Sequence, residues 1–173
     1  MPANAVTSAT ITTAALYALL DRSDAAHRAT VAALDGLEGP LLLITPVLSE
    51  TMRLADRYLG RQVALALLDA TIEGELLLQP LDKRDLQAAR RLLRAERGLP
   101  AERDLSLGAA LAIALALRLG AAALLALEPA ARRVAQQEGL HLLPPDQALA
   151  ANMIPSSGVA PLRAEAPAER QTP

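Results

Sequence analysis

Two glutamates stand where this chain could do chemistry: Glu50 in "TPVLSETMRL" and Glu128 at the end of "AAALLALE". Each follows a short apolar run that reads as a strand, and ligands of a parallel sheet collect beyond the carboxyl ends of its strands. Thr12, Pro46, Pro80 and Glu128 mark that edge. Two carboxylates converging there suit a hard cation such as Mg²⁺ or Mn²⁺, which takes oxygen ligands and keeps part of its water. The residues alone permit a plainer role, in which Glu50 sits at its helix start under the favourable dipole and Glu128 is solvated.

Other chemistries drop out. The chain has no cysteine, which excludes a disulfide framework, thiolate zinc sites and cysteine nucleophiles, and fits a cytoplasmic protein. No Gly-x-Gly-x-x-Gly follows the first strand and no phosphate loop ends in Gly-Lys-Ser/Thr. His27 and His141 lie far apart and read as surface or strand-end histidines rather than ligands. Ser157, in "SSG", falls in the tail. Aromatic residues make up 1% of the chain, with no Phe or Trp, so base stacking on a single-strand platform is not expected.

The elements that must position the two acids follow from apolar runs and their breaks. Strands are expected at "AVTSATI", "PLLLIT", "ELLLQP", Ala121 to Glu128 and "LHLLP". Helices are expected in "TTAALYALLD", "DAAHRATVAALDGLE" with Asp24 as cap, "PVLSETMRLADRYLG", "RQVALALLDATIEG", "LDKRDLQAARRLLRAERG", Ser106 to Leu119 and "PAARRVAQQEG". The run "LSLGAALAIALALRLGAAALLALE" is too interrupted, by Arg118 and Gly120, to span a membrane. It reads as a buried helix followed by a strand buried on both faces.

Strands separated by helices, often two at a time, imply a three-layer α/β domain with a central parallel sheet over residues 1–149. Residues 150–173, rich in Pro and Ala, read as a disordered tail. The N-terminus has no Lys or Arg before Arg22 and is read as part of the fold. A formal net charge of −2 over 173 residues gives no global attraction to polyanions. Locally, Lys83, Arg90, Arg94 and Arg97 share a helical stripe with Gln87 between them, along which an RNA backbone could lie. Asp82, Asp85, Glu96, Glu102 and Asp104 lie in or beside the same segment, so a solvated charged face is the competing reading.

In order and spacing, "ITTAALYALLDRSDAAHRA", "LLLITPVLSETMRLADRYLGRQVALALLDA" and "LSLGAALAIALALRLGAAALLALE" resemble the PIN domain of VapC-type toxins, from about Ile11 to Leu143. That resemblance implies a parallel sheet sandwiched by helices, and a cluster of four acidic residues that binds Mg²⁺ or Mn²⁺ for RNA cleavage. By motif, the family's first acid falls on Thr12, the second on Glu50, the third on Ala109 and the fourth, an Asp, on Glu128. Ala126 stands where a Thr is usual. Asp104, just before the helix that lacks its acid, is a further catalytic candidate, or else caps that helix. The expectation is a catalytically impaired PIN-like protein, a pseudoenzyme acting as a binding and oligomerisation module. The resemblance also implies a homodimer and a small antitoxin-like partner. The alternative is a weak Mg²⁺- or Mn²⁺-dependent endoribonuclease, the toxin of a toxin–antitoxin pair, using Glu50, Glu128 and Asp104 with Glu50 and Glu128 as metal ligands.

Overall fold

The computed structural model describes residues 7–95 and 104–152. Five strands form one sheet: β1 (Ala9–Ile11), β2 (Leu41–Ile44), β3 (Leu76–Gln79), β4 (Ala123–Leu125) and β5 (His141–Leu143). Every pairing is parallel, in the order β3-β2-β1-β4-β5. From β1 the chain moves outward to β2 and β3, then returns to the other side of β1 for β4 and β5. Right-handed crossovers therefore send the early helices to one face and the later ones to the other. The early set is α1 (Thr13–Leu20), α2 (His27–Leu34), α3 (Thr45–Tyr58) and α4 (Arg61–Glu73); the later set is α5 (Lys83–Ala95), α6 (Leu107–Leu119) and α7 (Pro129–Gln137). The expected three-layer arrangement is the one observed.

Its densest part is α6. Every residue from Gly108 to Ala116 is buried, as a helix apolar on all sides must be. Ser106 starts it, its Oγ accepting from the Ala109 N–H at 3.1 Å, and Gly120 ends it in the left-handed conformation at φ 63°. No helix among the described residues is long and apolar enough to cross a membrane.

Arg118, in the last turn of α6, anchors the helix laterally. Its Nε donates to Asp85 Oδ1 at 2.8 Å and its Nη2 to the Pro80 carbonyl at 2.9 Å. Asp85 is 1% exposed and therefore does not belong to the solvated face of α5 expected from its charge pattern. Its second oxygen accepts from the Asp82 N–H, while Asp82 Oδ1 accepts from the N–H groups of Arg84 and Asp85. This reciprocal cap closes the α5 N-terminus. Lys83, Gln87, Arg90 and Arg94 are exposed along α5 as the stripe requires; Arg97, Glu96 and Glu102 lie outside the described residues.

Several boundaries differ from the sequence expectation. The paired part of β1 is three residues and that of β4 is three; Ala5 and Val6 of the expected first strand lie outside the described residues. Asp24 is not the α2 cap, which is Ala26. Instead Asp24 Oδ1 accepts from the Ala26 N–H at 2.7 Å and shapes the turn before the helix. An eighth helix, α8 (Asp146–Asn152), takes in the first three residues assigned to the tail; residues 153–173 lie outside the described residues. Strand β3 is also not buried on both faces, since Leu77 and Leu78 are 38% and 46% exposed at the sheet edge.

Arg132, 8% exposed, fastens α8 to the body. Its Nη1 donates to the Ala126 carbonyl at 2.7 Å, and its Nη2 to the Pro144 carbonyl at 2.9 Å and to Asp146 Oδ1 at 2.6 Å. Across the later face, Arg91 donates to both carboxylate oxygens of Glu138, at 2.8 and 3.1 Å.

Two outcomes follow from these contacts. A Cβ on Gly39 would overlap the Thr7 carbonyl where the chain passes beside β1. Gly39→Ala should cost at least about 3 kcal/mol in urea unfolding, since backbone cannot yield as a side chain end does. The Arg91 hydrogen bonds hold the Glu138 carboxyl below the usual glutamate range. A depressed folded-state pKa stabilises fully above the ordinary value of about 4.3 and is lost as pH falls through the folded value. Glu138→Gln should thus lower stability by under about 1 kcal/mol at neutral pH, with the difference from wild type vanishing in melts below that range.

Candidate functional site

Because the strand order reverses around β1, its carboxyl end and that of β4 form the sheet's switch point, where α/β sheets hold ligands. The Thr12 N–H bonds to the Leu125 carbonyl at 3.0 Å across that point. Thr12 then ends the strand in extended conformation and α1 begins at Thr13. Glu128, three residues past β4, turns its carboxylate onto this helix start. Glu128 Oε2 accepts from Thr12 Oγ1 at 2.6 Å and from the Leu127 N–H at 3.2 Å, and Oε1 accepts from the Ala14 N–H at 3.2 Å. The free N–H groups and the dipole of a helix N-terminus favour a carboxylate there. Glu128 is therefore not simply solvated; it caps α1 from 116 residues away.

Glu50 reaches the next residue of the same turn. It lies in the second turn of α3, so it does not cap that helix, and its Oε2 accepts from Thr13 Oγ1 at 3.1 Å. The two acids expected to converge are thus brought to consecutive threonines. Gly108 of α6 faces them: a Cβ placed there would lie 3.7 Å from both Glu50 Oε2 and Thr13 Oγ1. Ala109, the motif position of the family's third acid, is 2% exposed. Asp104 is exposed and precedes the helix by three residues. It is not the cap either, because Ser106 fills that role.

Among the described residues no group of three or more His, Cys, Asp or Glu side chains is arranged to hold a metal ion. A divalent cation would meet two carboxylates, with hydroxyl protons of Thr12 and Thr13 already directed at their oxygens. Hydroxyls supply neither the charge nor the rigidity of carboxylate ligands. These residues do not fit a resident divalent cation. His27, first residue of α2, has its Nδ1 2.7 Å from the Ala18 carbonyl, which can only accept, so its ring links α1 to α2; His141 is exposed at the start of β5. The hydroxyl contacts were beyond sequence reasoning, since the partners are 116 and 37 residues apart.

One cleft flanks the site and another opens at the opposite edge of the sheet, where β2 and β3 begin. The first, of about 500 Å³, is lined by Ala14, Tyr17, Leu54, Leu127, Glu128 and Leu149, among others. The other, of about 510 Å³, runs between α1, α2 and α4 with Leu20, Val31, Leu34 and Ala66 in its walls and Leu41 and Leu76 below. In the first, burial followed by the negative charge of Asp21 pushes the Tyr17 hydroxyl up from its ordinary range.

Among solved structures, the chain is similar to the Mycobacterium tuberculosis VapC20 toxin, which cleaves the sarcin–ricin loop. Identity is 20%, with 73% of this chain and 94% of that one covered at a TM-score of 0.63. It is similar also to VapBC2 of Rickettsia felis, bound to a DNA fragment from its promoter, at 14% identity, 79% and 97% coverage and a TM-score of 0.57. At those identities the likeness is one of fold. None of the curated proteins matches the chain. The PIN domain family matches residues 11–137, most of the chain and every element from the end of β1 through α7, and the chain belongs to that family.

Proposed function

We propose that this PIN domain has given up the divalent-metal ribonuclease chemistry of VapC-type toxins and serves as a binding and oligomerisation module. The observation that carries this reading is the 2.6 Å hydrogen bond from Thr12 to Glu128. It sits where the family resemblance expects two acids facing each other across a cation. Metal-assisted hydrolysis needs a fixed cation to activate water and neutralise phosphate charge. Glu50 and Glu128, each tied to a threonine, supply half of the expected acids, and Asp104 lies exposed ahead of α6. Removing two facing carboxylates also lifts a repulsion that an active site must otherwise bear.

Exposed apolar surfaces support the binding half of this reading. The groove between α1, α2 and α4 has the apolar walls that an amphipathic helix of an antitoxin-like partner requires. Leu77 and Leu78 on the β3 edge, with Ile72 of α4 at 75% exposure, support a homodimer formed along that edge. The exposed stripe of Lys83, Arg90 and Arg94 leaves RNA as a weaker ligand class, and the cysteine-free chain suits the cytoplasm.

Thermal unfolding with Mn²⁺ tests the chemistry. A native-state site at a hundredfold excess over its Kd adds about 2.7 kcal/mol, roughly 5–10 °C for a domain of this size. The expected result is no saturable shift in the wild type. A saturable rise that Glu50→Gln abolishes would restore the endoribonuclease reading and overturn this one. For the association, sedimentation at micromolar concentration should show a dimer, and Leu78→Asp should weaken it by about tenfold or more. A wild-type monomer would remove the oligomerisation half of the proposal.

A further inference from the structure

The cleft of about 500 Å³ beside Glu128 draws its walls from α1, the turn before α2, α3, the link from β4 to α7, and α8. Ala14, Leu54, Leu127 and Leu149 give its apolar part, Asp24 and Glu128 its charged part. A concavity of that size, mostly apolar with a few polar groups, is the form that small-molecule sites take.

The charges decide which molecule suits it. No ion pair joins Asp24 or Glu128 to another described residue. Asp24 Oδ1 accepts from the Ala26 N–H at 2.7 Å, and a carboxylate offers about four acceptor sites in all, so Asp24 keeps capacity for a further donor. Glu128 is more fully engaged, its oxygens accepting from Thr12, Ala14 and Leu127; its part is charge rather than a new bond. The charge of Asp21 reaches the Tyr17 hydroxyl in the same wall and adds to the negative potential. An anionic ligand, a phosphate backbone included, would meet like charge here. A purely apolar one would strip water from the acids without replacing its hydrogen bonds. An ammonium group supplies both the opposite charge and several donors.

We propose that this cleft is a binding site for a small hydrophobic amine. Its apolar body lies against Ala14, Leu54, Leu127 and Leu149, and its protonated nitrogen meets Asp24 in the field of Glu128. Asp24 is not among the acids that the family motif places, so the site stands or falls separately from the loss of metal chemistry.

Probes that share one ring and differ in charge test the assignment. Amide resonances of the full chain are followed while cyclohexylmethylammonium, cyclohexylmethanol or cyclohexanecarboxylate is added, with EDTA present so that divalent ions do not contribute. The ammonium is expected to shift the amides of Ala14, Asp24, Leu127 and Leu149 saturably, with a Kd of about 1 mM or tighter, the reach of so small a ligand. The alcohol should bind at least about fivefold more weakly, as the loss of a charge-assisted hydrogen bond implies, and the carboxylate more weakly still. Asp24→Asn retains an oxygen for the Ala26 N–H and removes the charge; it should erase the preference for ammonium over alcohol. Equal affinity for the differently charged probes overturns the proposal, as does the absence of any saturable shift or a response centred on the groove between α1, α2 and α4. Shifts of the cleft amides that follow protein concentration with no probe added would assign the cleft to a second copy and overturn it too.

Discussion

A helix with no polar face has to be enclosed, and α6 imposes that constraint on everything around it. From Gly108 to Ala116 it meets only protein, so the sheet lies against one flank and α5 covers another. Burial on this scale is non-directional; it draws elements together without setting their register. The polar anchors do that. Ser106 sets where the helix starts, Gly120 where it stops, and Arg118, bound to Asp85 and the Pro80 carbonyl, sets how far it has turned. Removing one partner of such a pair strands the other in the interior, which is why its energetic weight falls on specificity as much as on stability.

With α6 fixed, its N-terminal turn is delivered to the carboxyl edge of the sheet, and the candidate site is the meeting of that turn with α1, α3 and the end of β4. The four elements come together for reasons of topology, since the reversal of strand order at β1 leaves a crevice that the neighbouring segments must line. Two hydroxyls and two carboxylates satisfy one another and the open end of α1, with Gly108 leaving room beside them. At this switch point the Glu128 carboxylate closes the N-terminus of α1.

Much of this arrangement could be read from the chain. The five strands and seven of the helices announce themselves by apolar runs bounded by Gly and Pro, and Glu50 and Glu128 were recognisable as neighbours because both follow strands of a parallel sheet. Helix α8 was hidden because seven residues give too short a window for helical periodicity. Asp85 looked like one more surface charge, because nothing local reveals that Arg118, 33 residues later, would bury it. Asp104 was read as a cap or an acid of the site because it is close in sequence to the helix start; the true cap, Ser106, sits two residues on. Long-range pairing of this sort depends on which strands neighbour in space, and one sequence does not display that.

The Arg132 contacts have a mechanical meaning. One planar guanidinium joins the carbonyl of Ala126, the carbonyl of Pro144 and the carboxylate of Asp146. The end of β4, the exit of β5 and the start of α8 therefore share one side chain as their common anchor. Glu128 lies two residues beyond one of those attachment points. The C-terminal helix is thus tied through one side chain to the stretch of chain that carries the carboxylate closing α1.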